Sequence, residues 1–263
     1  MENNSASSAL LKSPIASEPN AFPWLLTFLA FVGMLVIFAV VLFAGIVWFL
    51  LTHGQNLELL RTASTKGVFG VELQGIAELI VIAYLMAVVP ALAGTTPSGI
   101  GFRPLSARTL AYVGGAVVVM FVAVTALGSL LTTLLHAKTP EEAVAVFLSL
   151  HSPAAKAGFA FFAAVVAPVW EEFVFRIFLF SAMFKWWGFR PAAIVSSILF
   201  GLAHAQPGGI AVNVGICIPL ALGGFVLCWV YATTRNAWAN ILTHGLFNLI
   251  SLALLFVAPQ LAK

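Results

Sequence analysis

Long, nearly unbroken apolar runs alternate with short polar connections along most of the chain, and they are too long for strands and too uniformly apolar for the one-sided helices of a soluble domain. About 20 consecutive apolar residues, wound as a helix, cross the hydrocarbon core of a bilayer. The pattern therefore predicts spans over 24–51, 71–93, 109–135, 157–184, 210–233 and 237–257, with a shorter apolar run over 192–205 that barely crosses. The fold class that follows is all-α: a polytopic transmembrane helix bundle of about seven spans.

Residues 1–23, rich in Ser, Asn, Ala and Pro, hold too little apolar surface to fold and are expected to form a disordered polar tail. Residues 24–156 carry the first three spans and their loops, and 157–258 the remaining membrane helices. The first run is too long for a signal-peptide core and no small-residue cleavage site follows it, so it is expected to remain a span. Trp24 and Trp48 near its ends match an interfacial aromatic belt.

Composition sharpens the picture. Of 263 residues, 62% are hydrophobic and 8% charged, with a mean hydropathy of +1.07, values that exclude a water-soluble domain. The net charge of +3 does not mark a nucleic-acid surface, because the Lys and Arg residues stand singly or in pairs near span ends, as headgroup anchors do. Their slight excess around Lys12, Arg103, Arg108, Lys185, Arg190 and Arg235 favours a cytoplasmic amino terminus and a multi-pass protein of the cell membrane. Cys217 and Cys228 lie in one span without CxxC spacing and read as packing residues.

Against this apolar background a few polar residues need a reason. The stretch Ala167 to Phe180, APVWEEFVFRIFLF, sets Glu171, Glu172 and Arg176 inside a span, where each ionised group costs roughly 2.5–3.5 kcal/mol on insertion scales. The second pair of glutamates, Glu141 and Glu142, has a simpler explanation: Thr139 caps a short helix, Pro140 takes its first position, and both carboxylates favour its positive end. Glu78, one turn from Gln74 on the same face of the second span, reads as an interfacial or bundle-facing carboxylate paired with a neighbouring helix.

The polar residues of the carboxy-terminal half recur at helical spacing. Glu172 and Arg176, Phe200 and His204, and His244 and Asn248 are each four apart and share a helix face. Glu172 and Arg176 make an intrahelical ion pair, while Glu171 projects about 100° away and has no cation at that spacing. Pro168 cannot donate to the Ala164 carbonyl, so the helix is expected to bend there and admit polar groups. A water held between Glu171 and His204 would be deprotonated to attack an amide carbonyl, with His244 and Asn248 as donors to the oxyanion.

EEFVFR, FGLAH and HGLFN resemble, in order, the EExxxR, FxxxH and HxxxN motifs of the CAAX-processing and bacteriocin-processing intramembrane protease family, which includes the type II CAAX prenyl endopeptidases. The resemblance covers about Ala157 to Leu252. It implies an all-helical endopeptidase with a catalytic cavity inside the bilayer, in which Glu171 and His204 activate water and His244 and Asn248 stabilise the oxyanion. Glu172, Arg176 and Phe200 would support the site. It implies a membrane-associated substrate, prenylated or carrying a leader peptide, and metal-free glutamate chemistry, with Zn²⁺ held by two Glu and two His as the less favoured variant. Two other readings use the same residues: a proton-coupled transporter with Glu78, Glu171 and His204 as a relay, or a non-catalytic immunity or scaffold protein whose polar groups only join helices.

Overall fold

The computed structural model describes residues 24–54, 58–60, 68–94, 96, 98–137 and 141–257. The expected tail over 1–23 and the expected cap at Thr139 and Pro140 lie outside these residues, as do Arg61 and Lys66. The described secondary structure is helical throughout: α1 (Trp24–His53), α2 (Val68–Ala83, running on through Tyr84–Val88 and Val89–Ala93), α3 (Ala107–Leu134), α4 (Glu142–Ser149), α5 (Pro153–Trp187), α6 (Phe189–Leu202), α7 (Gly209–Thr234) and α8 (Ala237–Val257). Six of these are long and apolar enough to cross a membrane, and α6 is the shorter apolar helix that the hydropathy pattern singles out.

Two compact units divide the chain, Phe22–Thr96 and Pro97–Lys263. In the first, α1 and α2 approach through small residues: Ala30 and Ala77 are buried, and a Cβ at Gly33 or Gly45 would run into Tyr84 or Leu73. Glu78 is fully buried, and it accepts a hydrogen bond at 2.8 Å from Gln74 Nε2, one turn away on its own helix.

In the second unit α7 packs against α6, α3 and α8. Val113, Val117, Met120 and Val124 of α3 meet Val226, Leu227 and Val230 of α7, with Ala239 and Phe247 of α8 closing the cluster. The contact with α6 is closest at Gly201, where a Cβ would collide with the Cys217 carbonyl. The loop before α3 is ordered: Gly101, in a left-handed conformation at φ +98°, turns its carbonyl to the Ala237 N–H at 2.7 Å. Asn236 donates to the carbonyls of Arg103 and Pro104, and Phe102 lies tilted against Phe173 and edge-on to Trp238.

The fourth span departs from a plain helix. α5 contains two segments wound in the wider i→i+5 pattern, Phe162–Val166 and Phe173–Phe180. The first ends two residues before Pro168, as the segment Tyr84–Val88 of α2 ends two residues before Pro90. In each case the missing N–H leaves a carbonyl unmet within the widened turn, so the expected bend takes this form. The fifth run also differs in its ends: Gly188 at φ +72° breaks the chain, and α6 starts at once with Pro191 in its first turn, where no intrahelical N–H is needed. It stops at Leu202, so His204 lies in the turn beyond the helix.

The glycine contacts carry a stability prediction. Gly201→Ala is expected to lower the thermal midpoint of the detergent-solubilised protein, because overpacking at a rigid backbone costs about 1–3 kcal/mol. Gly114→Ala, at a position with open space around it, is expected to hold or raise the midpoint, alanine being the better helix former.

Candidate functional site

Glu172 is the centre of the polar residues in α5. It is 1% exposed, a burial that an ionised carboxylate survives only if its lone pairs are taken up. Arg176 Nη1 donates to Oε1 at 2.9 Å, His244 Nδ1 donates to the same oxygen at 2.8 Å, and Asn240 Nδ2 donates to Oε2. One side chain thus ties two helices, α5 and α8, through three partners.

Arg176 is fully buried and satisfied in a second direction, since Nη2 donates to the Gly224 carbonyl at 3.2 Å. Glycine at 224 eases that approach: a Cβ there would stand 3.2 Å from Phe200 and 3.4 Å from the guanidinium, tight enough that a neighbour must give by a few tenths of an ångström. Phe200 lies beneath the guanidinium at 4.4 Å, a cation–π contact inside the protein. The wide turns around Arg176 expose carbonyls, and two buried hydroxyls meet them: Ser181 donates to the Arg176 carbonyl at 2.9 Å and Ser196 of α6 to that of Phe175 at 2.8 Å.

The bond to Glu172 sets the orientation of His244. With Nδ1 as donor, Nε2 points to Glu171, 3.7 Å from its Oε2. The imidazole therefore bridges the two adjacent carboxylates of the EE pair, which project in different directions as their helix spacing requires. His204 and His244 both lie against the ring of Phe200, at 4.8 and 5.7 Å between centroids. His204 Nδ1 is fixed on the Phe200 carbonyl at 2.8 Å, which leaves Nε2 as the nitrogen that can take or share a proton.

Asn248, on the same face of α8 one turn beyond His244, donates an amide hydrogen to the Ala163 carbonyl at 2.8 Å. That carbonyl belongs to the first widened segment of α5. Next to it, Gly245 comes so close to the Ala164 carbonyl, the one orphaned by Pro168, that a Cβ would collide with it. The face of α8 carrying His244 is thus fitted onto the opened turn of α5. A primary amide has two N–H groups, so Asn248 retains one beyond the bond to Ala163.

Of the residues singled out in the sequence, Glu171, Glu172, Arg176, Phe200 and His244 converge directly, and His204 joins them through Phe200. Asn240 was missed. Its signal is present, because Asn240, His244 and Asn248 follow each other at intervals of four and share one face of α8. As a metal centre the arrangement fits poorly: Glu172 spends both oxygens on Arg176, His244 and Asn240, and no group of three His, Cys, Asp or Glu side chains suited to an ion occurs among the described residues.

Residues 153–250 match the family model of the type II CAAX prenyl endopeptidase Rce1-like proteins. The matched residues run from α5 to α8 and include the stretches EEFVFR, FGLAH and HGLFN. The chain is also 30% identical over 84 residues to a Bacillus subtilis (strain 168) protein named "Putative membrane peptidase YdiL", an alignment covering 32% of each sequence. The chain thus spans about a third of the length of the curated relative it matches. No solved structure matches it. With six helices long and apolar enough to cross a membrane, the chain is a multi-pass integral membrane protein.

The hydrogen bonds rank the network energetically. Glu172→Ala leaves the guanidinium buried without its counter-charge, an expected loss of about 3–5 kcal/mol. Asn240→Ala removes one donor and is expected to cost about 1–3 kcal/mol. Chemical unfolding of both variants in detergent checks the order, and equal small losses would show that Glu172 does not hold the helices together.

Proposed function

We propose that the protein is an intramembrane endopeptidase that hydrolyses a peptide bond of a membrane-associated substrate, prenylated or carrying a leader peptide. The observation that carries this reading is the bridge at His244, whose Nδ1 is fixed by buried Glu172 while Nε2 faces Glu171 at 3.7 Å. A purely structural ion pair would stop at Glu172 and Arg176. Here a second carboxylate, only partly buried, is kept beside an oriented imidazole. The match to the Rce1-like family and the similarity to a protein named as a membrane peptidase support the same class of reaction.

In this mechanism Glu171 accepts a proton from water as the water oxygen adds to the scissile carbonyl carbon, and the carbonyl electron pair moves onto oxygen. His204, held through Nδ1 on the Phe200 carbonyl of α6, shares the water's hydrogen bond at Nε2. The oxyanion is met by the second amide hydrogen of Asn248 and by Nε2–H of His244, which is present when both ring nitrogens carry protons and Glu172 balances the charge. Collapse of the tetrahedral intermediate breaks the C–N bond, and the proton on Glu171 passes to the departing amine. No metal is required for any of these steps, and glutamate chemistry without a cofactor is part of the proposal.

The test is hydrolysis of farnesylated and unprenylated peptides by the detergent-purified protein, with and without a chelator. Glu171→Gln and His204→Ala are each expected to lower kcat by roughly 10²- to 10⁴-fold, the range for loss of a group acting on the proton, and the chelator is expected to have no effect. Loss of activity on chelation with rescue by Zn²⁺ would replace this mechanism by a metal-dependent one. Undiminished cleavage in both variants would overturn the assignment of the residues.

A further inference from the structure

The glutamate pair Glu141–Glu142 has, in sequence, a sufficient explanation as helix capping; the structure uses it differently. Glu141 is the N-cap residue of α4, yet its side chain makes no bond to its own helix. The N–H of Glu142 is met instead by Gln206 Oε1 at 2.6 Å, a cap supplied from the turn that carries His204. That turn is built to hold the position: Asn213 accepts from Gln206 N–H at 2.8 Å and donates to the carbonyls of Gln206 and Gly209 at 2.9 and 3.0 Å. α4 is seated at its other end as well, with buried Phe147 against Phe159 at 6.1 Å and Lys156 Nζ over the Phe147 ring at 5.3 Å.

Handing the cap to Gln206 releases the Glu141 carboxylate for another partner. The bond to Gln206 sets half-buried Glu141 beside the turn of His204; there burial pushes its carboxyl above the ordinary range and the imidazole of His204 pulls it partly back. The titratable groups that face Glu141 are His204 and, from α7, Cys217.

We propose that Glu141 is a positioning residue for His204, delivered by α4 to balance the charge that the imidazole gains when it shares the proton of the attacking water. The proposal rests on the peptidase reading for its role in the reaction, while the seating of Glu141 beside the turn of His204 rests on the bond from Glu142 N–H to Gln206. It adds an acidic group from outside the three motifs and makes α4 a working part of the site.

Two measurements on the full-length protein in detergent test it. The first follows the titration of Glu141 by carbon NMR of carboxyl-labelled glutamate, the signal being identified by its loss in Glu141→Gln. His204→Ala is expected to move the Glu141 midpoint upward, because the partner that pulls it down is gone; an unchanged midpoint overturns the pairing. The second compares kinetics on a farnesylated peptide. Glu141→Gln is expected to lower kcat about tenfold with KM unchanged, short of the loss for a group acting directly on the proton, with partial recovery in Glu141→Asp and none of this in Glu142→Gln. A kcat untouched by Glu141→Gln in an enzyme silenced by Glu171→Gln overturns the positioning role and leaves the peptidase reading intact. No cleavage of any peptide by the wild type removes the peptidase reading and with it the role in the reaction, and the titration separates that result from a failure of the pairing itself.

Discussion

A carboxylate sealed away from water must be fully hydrogen-bonded or neutral, and Glu172 meets that demand by recruiting a guanidinium from its own helix and an imidazole and an amide from another. Much of the carboxy-terminal unit is arranged so that these bonds can form. Gly224 lets the far side of the guanidinium reach a backbone carbonyl, and Phe200 supplies the ring on which it rests. The orientation of His244, and through it the nitrogen offered to Glu171, follows from satisfying Glu172 rather than from any contact of Glu171 itself. Motif residues of this kind are coupled: disturbing the buried carboxylate disturbs the geometry of the partly exposed one beside it.

Proline placement explains why the helix that carries the glutamates accepts partners from α8. Pro168 orphans the Ala164 carbonyl, the turn before it widens, and α8 answers with Gly245 against that carbonyl and Asn248 on its neighbour Ala163. A straight helix would present a closed hydrogen-bond ladder at this height and nothing for Asn248 to bind. The local defect and the interhelical fit are one feature seen from two sides.

The helices were legible because membrane insertion writes a strong pattern: runs of 20 or more apolar residues leave few alternatives, and the ends of α8 match the expected span over 237–257. The site was legible as far as spacing reaches. Glu172 with Arg176 is a neighbour relation within one helix, and it appears as expected. The link from His244 to both glutamates joins residues 72 and 73 positions apart, and no spacing rule announces such a contact. Asn240 was within reach of the same four-residue rule that singled out His244, but a lone amide in a span invites no notice. Glu141 was obscured for the opposite reason, since capping explained it too well; only the Gln206 side chain at the helix start shows that the cap is supplied from elsewhere.

The two ends of the carboxy-terminal bundle differ in compliance. At one end Gly101, Asn236 and Ala237 are stitched by backbone and amide hydrogen bonds, with Phe102 set against two aromatic rings. At the other, the described contacts of α4 are the side-chain hydrogen bond from Gln206 and the ring contacts of Phe147. Thermal breathing concentrates where the fewest bonds must break together. Local opening is therefore expected to begin at α4, while the end held by Gly101 and Asn236 stays closed until the whole bundle loosens.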